Sequence, residues 1–195
     1  PGLNIPDQGV DLLIRGLKME RPSIVDVDHK QYRALAGLRG LHFGFDWETA
    51  FLYSQATATD SMNAISSTAL ERQMALATPD AYNPFGTTPG NSDAVIDAVS
   101  FQAVRATKST LALWDFKASR PDLFTIPAGN IGLAAGVEVR RETHVDDRDP
   151  RVDGTITWTS RSGITYPGDM FGVSPTPDTY GARTVSGVYA ELYLP

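Results

Sequence analysis

Apolar and polar side chains alternate along much of this chain with a period of two. From Trp47 to Ala58, Trp47, Thr49, Phe51 and Tyr53 fall on one side of a strand. Glu48, Ala50 and Ser54 fall on the other, with Leu52 breaking the pattern. The alternation is cleaner from Ile131. Ile131, Leu133, Ala135, Val137 and Val139 share one face, and Gly132, Ala134, Gly136, Glu138, Arg140 and Glu142 share the other. Near the C-terminus Val188, Ala190, Leu192 and Leu194 alternate with Tyr189, Glu191 and Tyr193. Asp11–Arg21, Lys30–Leu41 and Ser100–Phe116 also suit strands, less regularly. At roughly 10–18 residues, these runs exceed the about 5–6 of an ordinary globular strand.

The connections differ in length. Leu41–Phe45 and Pro127–Asn130 are short, whereas Asp60–Val99 and Asp146–Arg183 are long. Long strands joined alternately by short turns and long loops are the pattern of a transmembrane barrel, and loops of this length count against a compact soluble domain. In the first long loop Thr68 and Glu71 make a capping box, and Ile65, Ala69, Leu70, Met74 and Ala77 form a helical stripe that Thr78-Pro79 ends. This predicts a helix over about 66–77. In the second, Thr155–Thr159 suits a small β segment. The expected fold class is all-β: an antiparallel long-stranded sheet, a partial segment of a transmembrane β-barrel, with one short helix in a long loop.

Composition narrows the function. The chain has 195 residues, 42% of them hydrophobic, which suits one domain. Lys and Arg number 17 against 23 Asp and Glu, a formal charge of −6 with no basic run, so nucleic acid is not an expected partner. The chain has no Cys, which removes disulfides, thiol nucleophiles and Cys-based metal sites. No run approaches the about 18 apolar residues of a membrane-spanning helix. Pro1-Gly2-Leu3-Asn4 lacks an initiator Met and the features of a signal peptide, and Tyr193-Leu194-Pro195 is equally abrupt. Both ends read as cuts inside a longer protein.

Catalytic patterns are missing: no Gly-x-Ser-x-Gly, no His-Glu-x-x-His, no P-loop and no Rossmann glycines. No enzyme and no cofactor is expected. His29 and His42 read as solvated surface residues. The polar stretch His144–Asp153 holds four carboxylates able to bind a hard cation, but Arg148 and Arg151 offset their charge, and a solvated loop cap with internal ion pairs is the plainer reading. Asp26-Val27-Asp28 is read the same way. Glu138, Arg140 and Glu142 form a charged ladder on one strand face, and Arg141, on the opposite face, reaches polar surroundings by snorkelling. Trp47, Trp114, Phe116, Tyr189 and Tyr193 suit either aromatic girdles or a sandwich core.

Four segments add a resemblance. Tyr32–Gly40 followed by Phe45–Glu48, then Ala81–Gly86, then Leu123–Gly129 running into Gly132–Glu142, then Gly181–Arg183 leading to Val188–Leu192, resemble stretches of bacterial TonB-dependent outer-membrane receptors in order and spacing. The resemblance covers most of 30–195. It implies that residues 1–195 are part of such a receptor's barrel, without its plug domain and closing strands. The chain holds roughly six or seven strands, against 22 in the whole barrel. It also implies a place in the bacterial cell outer membrane. The parent would bind and import a scarce solute, such as a ferric siderophore, cobalamin or an oligosaccharide. The implied partners are the plug, the remaining strands, membrane lipid and the energy-coupling TonB complex.

On that reading Trp47, Phe51, Val137, Val139, Val188 and Leu192 face lipid, and Glu48, Glu138, Arg140, Glu142 and Glu191 face the lumen. Asp146, Asp147, Asp149, Trp158 and Tyr166 are extracellular-loop candidates for ligand contact. An open sheet has unpaired edges, costly in lipid, so the isolated stretch is expected to aggregate or need detergent. The competing reading is a soluble β-rich binding or adhesion module, with Trp158, Tyr166 and Tyr180 stacking on carbohydrate. A hydrolase using spaced Asp and Glu residues is a weaker third.

Overall fold

The computed structural model describes residues 21–85 and 90–195. The strand expected over Asp11–Arg21 lies, apart from Arg21, outside the described residues, as does Gly86. In chain order the elements are β1 (Val25–His42), β2 (Phe45–Ile65), α1 (Ser67–Met74), α2 (Asp93–Val99), β3 (Ser100–Ile126), β4 (Gly129–Asp147), α3 (Pro150–Asp153), β5 (Trp158–Thr159), β6 (Thr165–Tyr166) and β7 (Thr179–Tyr193). The fold is all-β with a large antiparallel sheet. Contacts divide the chain into two units. The described residues of one, the loop unit, are 21–24, 62–85, 90–103 and 150–175; those of the other, the sheet unit, are 25–61, 104–149 and 176–195.

In the large sheet the strands lie in the order β1-β2-β3-β4-β7. Short turns fold β1 back on β2 and β3 back on β4, whereas the pairs β2–β3 and β4–β7 are joined by the long connections. Between His42 and Phe45 the turn is Phe43-Gly44, with φ of 50° and 76°. Two consecutive positive φ values make the hairpin turn whose twist matches the strands, and Gly44 takes that conformation without cost. Phe43 is held there in part by Arg120, whose Nη1 donates to its carbonyl at 3.2 Å. At the second turn Pro127-Ala128 leads into the closing pair Ile126↔Gly129.

The strands are longer than hydropathy marks them. β3 runs 27 residues, where alternation predicts an end at Phe116, and β2 continues past Ala58 to Ile65. The extensions carry Thr59, Asp60 and Ser61 in β2 and Lys117, Ser119, Arg120 and Asp122 in β3. A ladder needs only backbone groups, so it continues where the side chains have turned polar. The long connections are correspondingly shorter than expected, 66–99 and 148–178.

The loop unit is a small conventional fold. Ile65, Leu70, Tyr82, Val95 and Val99 form its buried cluster, with Met74 and Phe171 packed against them. Helix α1 is present, yet its cap is Ser66 rather than Thr68: Ser66 Oγ accepts from the Ala69 amide at 3.1 Å. The single expected helix is joined by two more, the four-residue α3 and α2, which Ser92 caps. Seven residues is too short a run for the 3.6-residue period to declare itself, and the Ser92, Val95 and Val99 spacing was the available signal. The Thr155–Thr159 segment resolves into β5, paired with β6 through Trp158↔Tyr166 and Thr159↔Thr165.

Candidate functional site

The sheet unit has two chemically different faces. Directly opposed residues in a ladder point to the same side. Trp114↔Val139, Phe116↔Val137, Val137↔Val188 and Leu133↔Leu192 therefore share one face. β2 joins this face through Thr49, whose hydroxyl accepts from Trp114 Nε1 at 3.0 Å, so Trp47, Phe51 and Tyr53 belong to it. These side chains are not covered: Val188 is 83% exposed, Leu192 65% and Trp114 43%. In β4 the apolar stretch runs from Ile131 to Val139. Beyond it come Arg141, opposite Ala112 and Thr184, and then Thr143, which shares a hydrogen bond with Thr110.

The other face carries the charge. Glu48, Glu138, Arg140, Glu142 and Glu191 all lie on it. Arg140 Nε stands 3.2 Å from Glu142 Oε1, and Arg183 Nε donates to Glu142 Oε2 at 2.5 Å. Lys117 reaches Glu48 at 3.4 Å from the neighbouring strand. Arg39, Asp46, Glu48, Lys117, Ser119 and Tyr189 line an open cleft of about 640 Å³ here. Leu52, Leu111, Leu113 and Val185 share the face, so it is mixed rather than wholly polar.

Two aromatic expectations change. Tyr189 pairs with Gly136 and Tyr193 with Gly132, which places both on the charged face rather than in a girdle on the apolar one. The Tyr189 ring covers Gly136: a Cβ there would meet its Cζ at 2.7 Å. Trp47 covers Gly40 in the same way on the apolar face, with Cε2 at 3.0 Å from such a Cβ. Glycine without a side chain makes room for the ring, and the ring shields the bare backbone.

The acidic stretch does not form a cation site. Asp146 lies inside β4, not in a loop, and its side chain is 6% exposed. Arg105 Nε and Nη2 grip its two oxygens at 2.6 and 2.8 Å, and Arg148 Nη2 donates to Oδ2 at 2.9 Å. The Arg105 hydrogen bonds hold the carboxyl below its ordinary value against the opposing effect of burial, with Arg148 assisting. Guanidinium groups occupy the positions a metal would need. Asp147 is exposed at the end of β4, and Asp149 is half-buried beyond it. Among the described residues, no group of three or more His, Asp or Glu is placed to hold a metal.

The two aromatic candidates do meet. Trp158 and Tyr166 stack at 4.7 Å with 18° between their planes. Trp158 Nε1 donates to Glu71 Oε2 at 3.0 Å, which fixes the indole. Tyr180 lies in β7, in the sheet unit. Sequence reading missed Asp169, a buried carboxylate (3% exposed) that accepts from Ser66 Oγ at 2.6 Å and the Thr68 amide at 2.7 Å. These two hydrogen-bond partners stand about a hundred positions earlier, and Arg151, whose Nε lies 3.5 Å from Oδ2, stands in the preceding helix α3, so no local spacing marks it.

These features define the class: an all-β chain whose long-stranded sheet shows an uncovered apolar face and a charged one. No family model matches the chain, and no curated protein matches it.

Proposed function

We propose that this chain is a wall-and-loop segment of a TonB-dependent outer-membrane receptor, and that its parent binds and imports a scarce solute of the siderophore-iron, cobalamin or oligosaccharide class. The observation that carries the reading is the uncovered apolar stretch. In β4 it spans Ile131–Val139, nine alternating positions, against the about 9–11 residues a tilted strand needs to cross a bilayer. On this reading Trp114, Val137, Val139, Val188 and Leu192 face lipid. The charged face with Glu48, Glu138, Arg140, Glu142 and Glu191 faces the lumen and the plug. Two-residue turns close one set of strand ends, and two long connections, the second carrying Trp158 and Tyr166, join the other set. The resemblance of 30–195 to such receptors points the same way. The segment's own part is wall and loops, without catalysis.

Fractionation of cells that make the intact protein tests the reading. The expected result is recovery with the outer membrane, release only by detergent, and uptake of one of the three solute classes that stops when the TonB complex is removed. A monodisperse protein in detergent-free buffer would overturn it in favour of a soluble β-rich binding module.

A further inference from the structure

The loop unit is assembled from two connections that cannot stand separately. Helix α1 has eight residues, below the about 12–15 at which an isolated helix becomes even marginal in water. A helix start leaves four amides without internal partners. Here the second connection supplies part of what is missing: Asp169 Oδ1 accepts from the Thr68 amide at 2.7 Å, and the Asp169 carbonyl accepts from the Ser67 amide at 2.8 Å. Ser66 Oγ, the cap itself, is steered by donating to Asp169 Oδ2.

The dependence also runs in reverse. Strands β5 and β6 have two residues each, far short of an independently stable hairpin. Glu71, on α1, takes the Trp158 indole N–H on one carboxylate oxygen and the Arg161 amide on the other, at 3.0 and 2.8 Å. The hairpin is thus held at its first strand and at its turn by a single helical side chain. Arg151 closes the arrangement: its carbonyl accepts from the Asp169 amide at 2.9 Å, and its guanidinium lies 4.5 Å over the Phe101 ring with Nε 3.5 Å from Asp169 Oδ2.

We propose that residues 66–75 and 150–171 open and close as one lid, with Asp169 and Glu71 as its two latches. A molecule that displaces the Trp158–Tyr166 pair then loosens α1, and loosening α1 releases the aromatic pair. The proposal rests on contacts inside the loop unit and stands whether or not the protein is a receptor. Such a lid presents a preassembled aromatic surface, so less ordering is left to occur on binding.

Hydrogen exchange on the intact protein tests this, read in peptides covering 67–75 and 156–166, with a β4 peptide as reference. Asp169→Ala is expected to raise exchange about tenfold or more in both peptides, although the Asp169 side chain does not touch the hairpin. Glu71→Ala is expected to raise exchange at the start of α1 as well as in the hairpin. Alanine is the better helix former, so loosening there comes from the lost latch and not from propensity. Exchange that rises only in the segment that lost its own contact would overturn the proposal. If Asp169→Ala does not accumulate folded, the wild type decides under a urea series. Loss of protection in both peptides at one urea concentration supports the lid, and loss at two separate concentrations overturns it.

Discussion

The two units of this chain treat apolar side chains in opposite ways. Among the described residues nine apolar ones are buried, and eight of these lie in the loop unit, the ninth being Leu52 in the sheet unit. The loop unit hides Val99 at 1% exposure and caps its short helices with Ser66 and Ser92. That is how a fold behaves in water. The sheet unit displays Val188, Leu192, Trp114 and Phe51 on an open face. Its inner strands are paired on both sides by the ladders, so the sheet forms while burying few apolar side chains. What remains uncovered is the apolar face, which on the proposed reading meets the hydrocarbon of a membrane. The difference teaches that fractional exposure has meaning only once the solvent is named.

The largest expected effect tests the water-like half. Leu70→Ala removes a side chain from the buried cluster of the loop unit and is expected to cost about 2–5 kcal/mol there. Limited proteolysis should then cut within 66–85, while the β3–β4 ladder keeps its exchange protection. Simultaneous loss of both would show that the two units do not fold independently.

Val188→Arg tests the other half. In lipid, an arginine near mid-span costs about 2–4 kcal/mol. In water, at a position so open, the same change stays within about 0.5 kcal/mol. Unfolding in detergent or lipid, compared with Gly187→Ala on the opposite face, separates the two cases. A null result at Val188 would remove the main support for the membrane reading. Tyr189→Ala is milder. It uncovers Gly136, and cross-strand pairs of this kind contribute about 0.2–1 kcal/mol. The expected signature is faster exchange at the β4–β7 ladder near Gly136, with the β3–β4 ladder nearer its original rate.

Much of the sheet was legible in the chain because its period of two survives over the apolar stretch. Ile131–Val139 announces both the strand and its two faces, and Val188–Leu192 announces the neighbour. What was illegible has physical causes. The extensions of β2 and β3 are rich in Thr and charge, so a ladder continues where hydropathy falls silent. Tyr189 and Tyr193 look like girdle residues until the register with Gly136 and Gly132 is known, and register is not local information. Asp146 looks like a loop carboxylate because two more acids follow it, yet Arg105, 41 positions earlier, claims it. Glu71 was singled out as half of a capping box and works instead as a tether for Trp158 and Arg161. In each case the residue type was informative and the partner lay far along the chain.

The smallest expected effect lies in the Asp146 ion pair, beyond the apolar stretch of β4. Arg105 is about half open to solvent, so salt screens part of the attraction. The folded-state carboxyl titrates below its unfolded value, because Arg105 and then Arg148 favour the charged form. The folded state therefore binds its proton at lower pH than the unfolded state does. The pair's contribution is complete above the unfolded carboxylate value of about 3.9 and is lost as pH falls through the lower folded value. Asp146→Asn keeps the shape and removes the charge. Its deficit against wild type should be full near neutral pH, unchanged down to about pH 5, and should vanish in strong acid, where both side chains are neutral. Denaturant midpoints across that range read it directly. A deficit that persists undiminished in strong acid would mean that Asp146 acts through shape and hydrogen bonding alone.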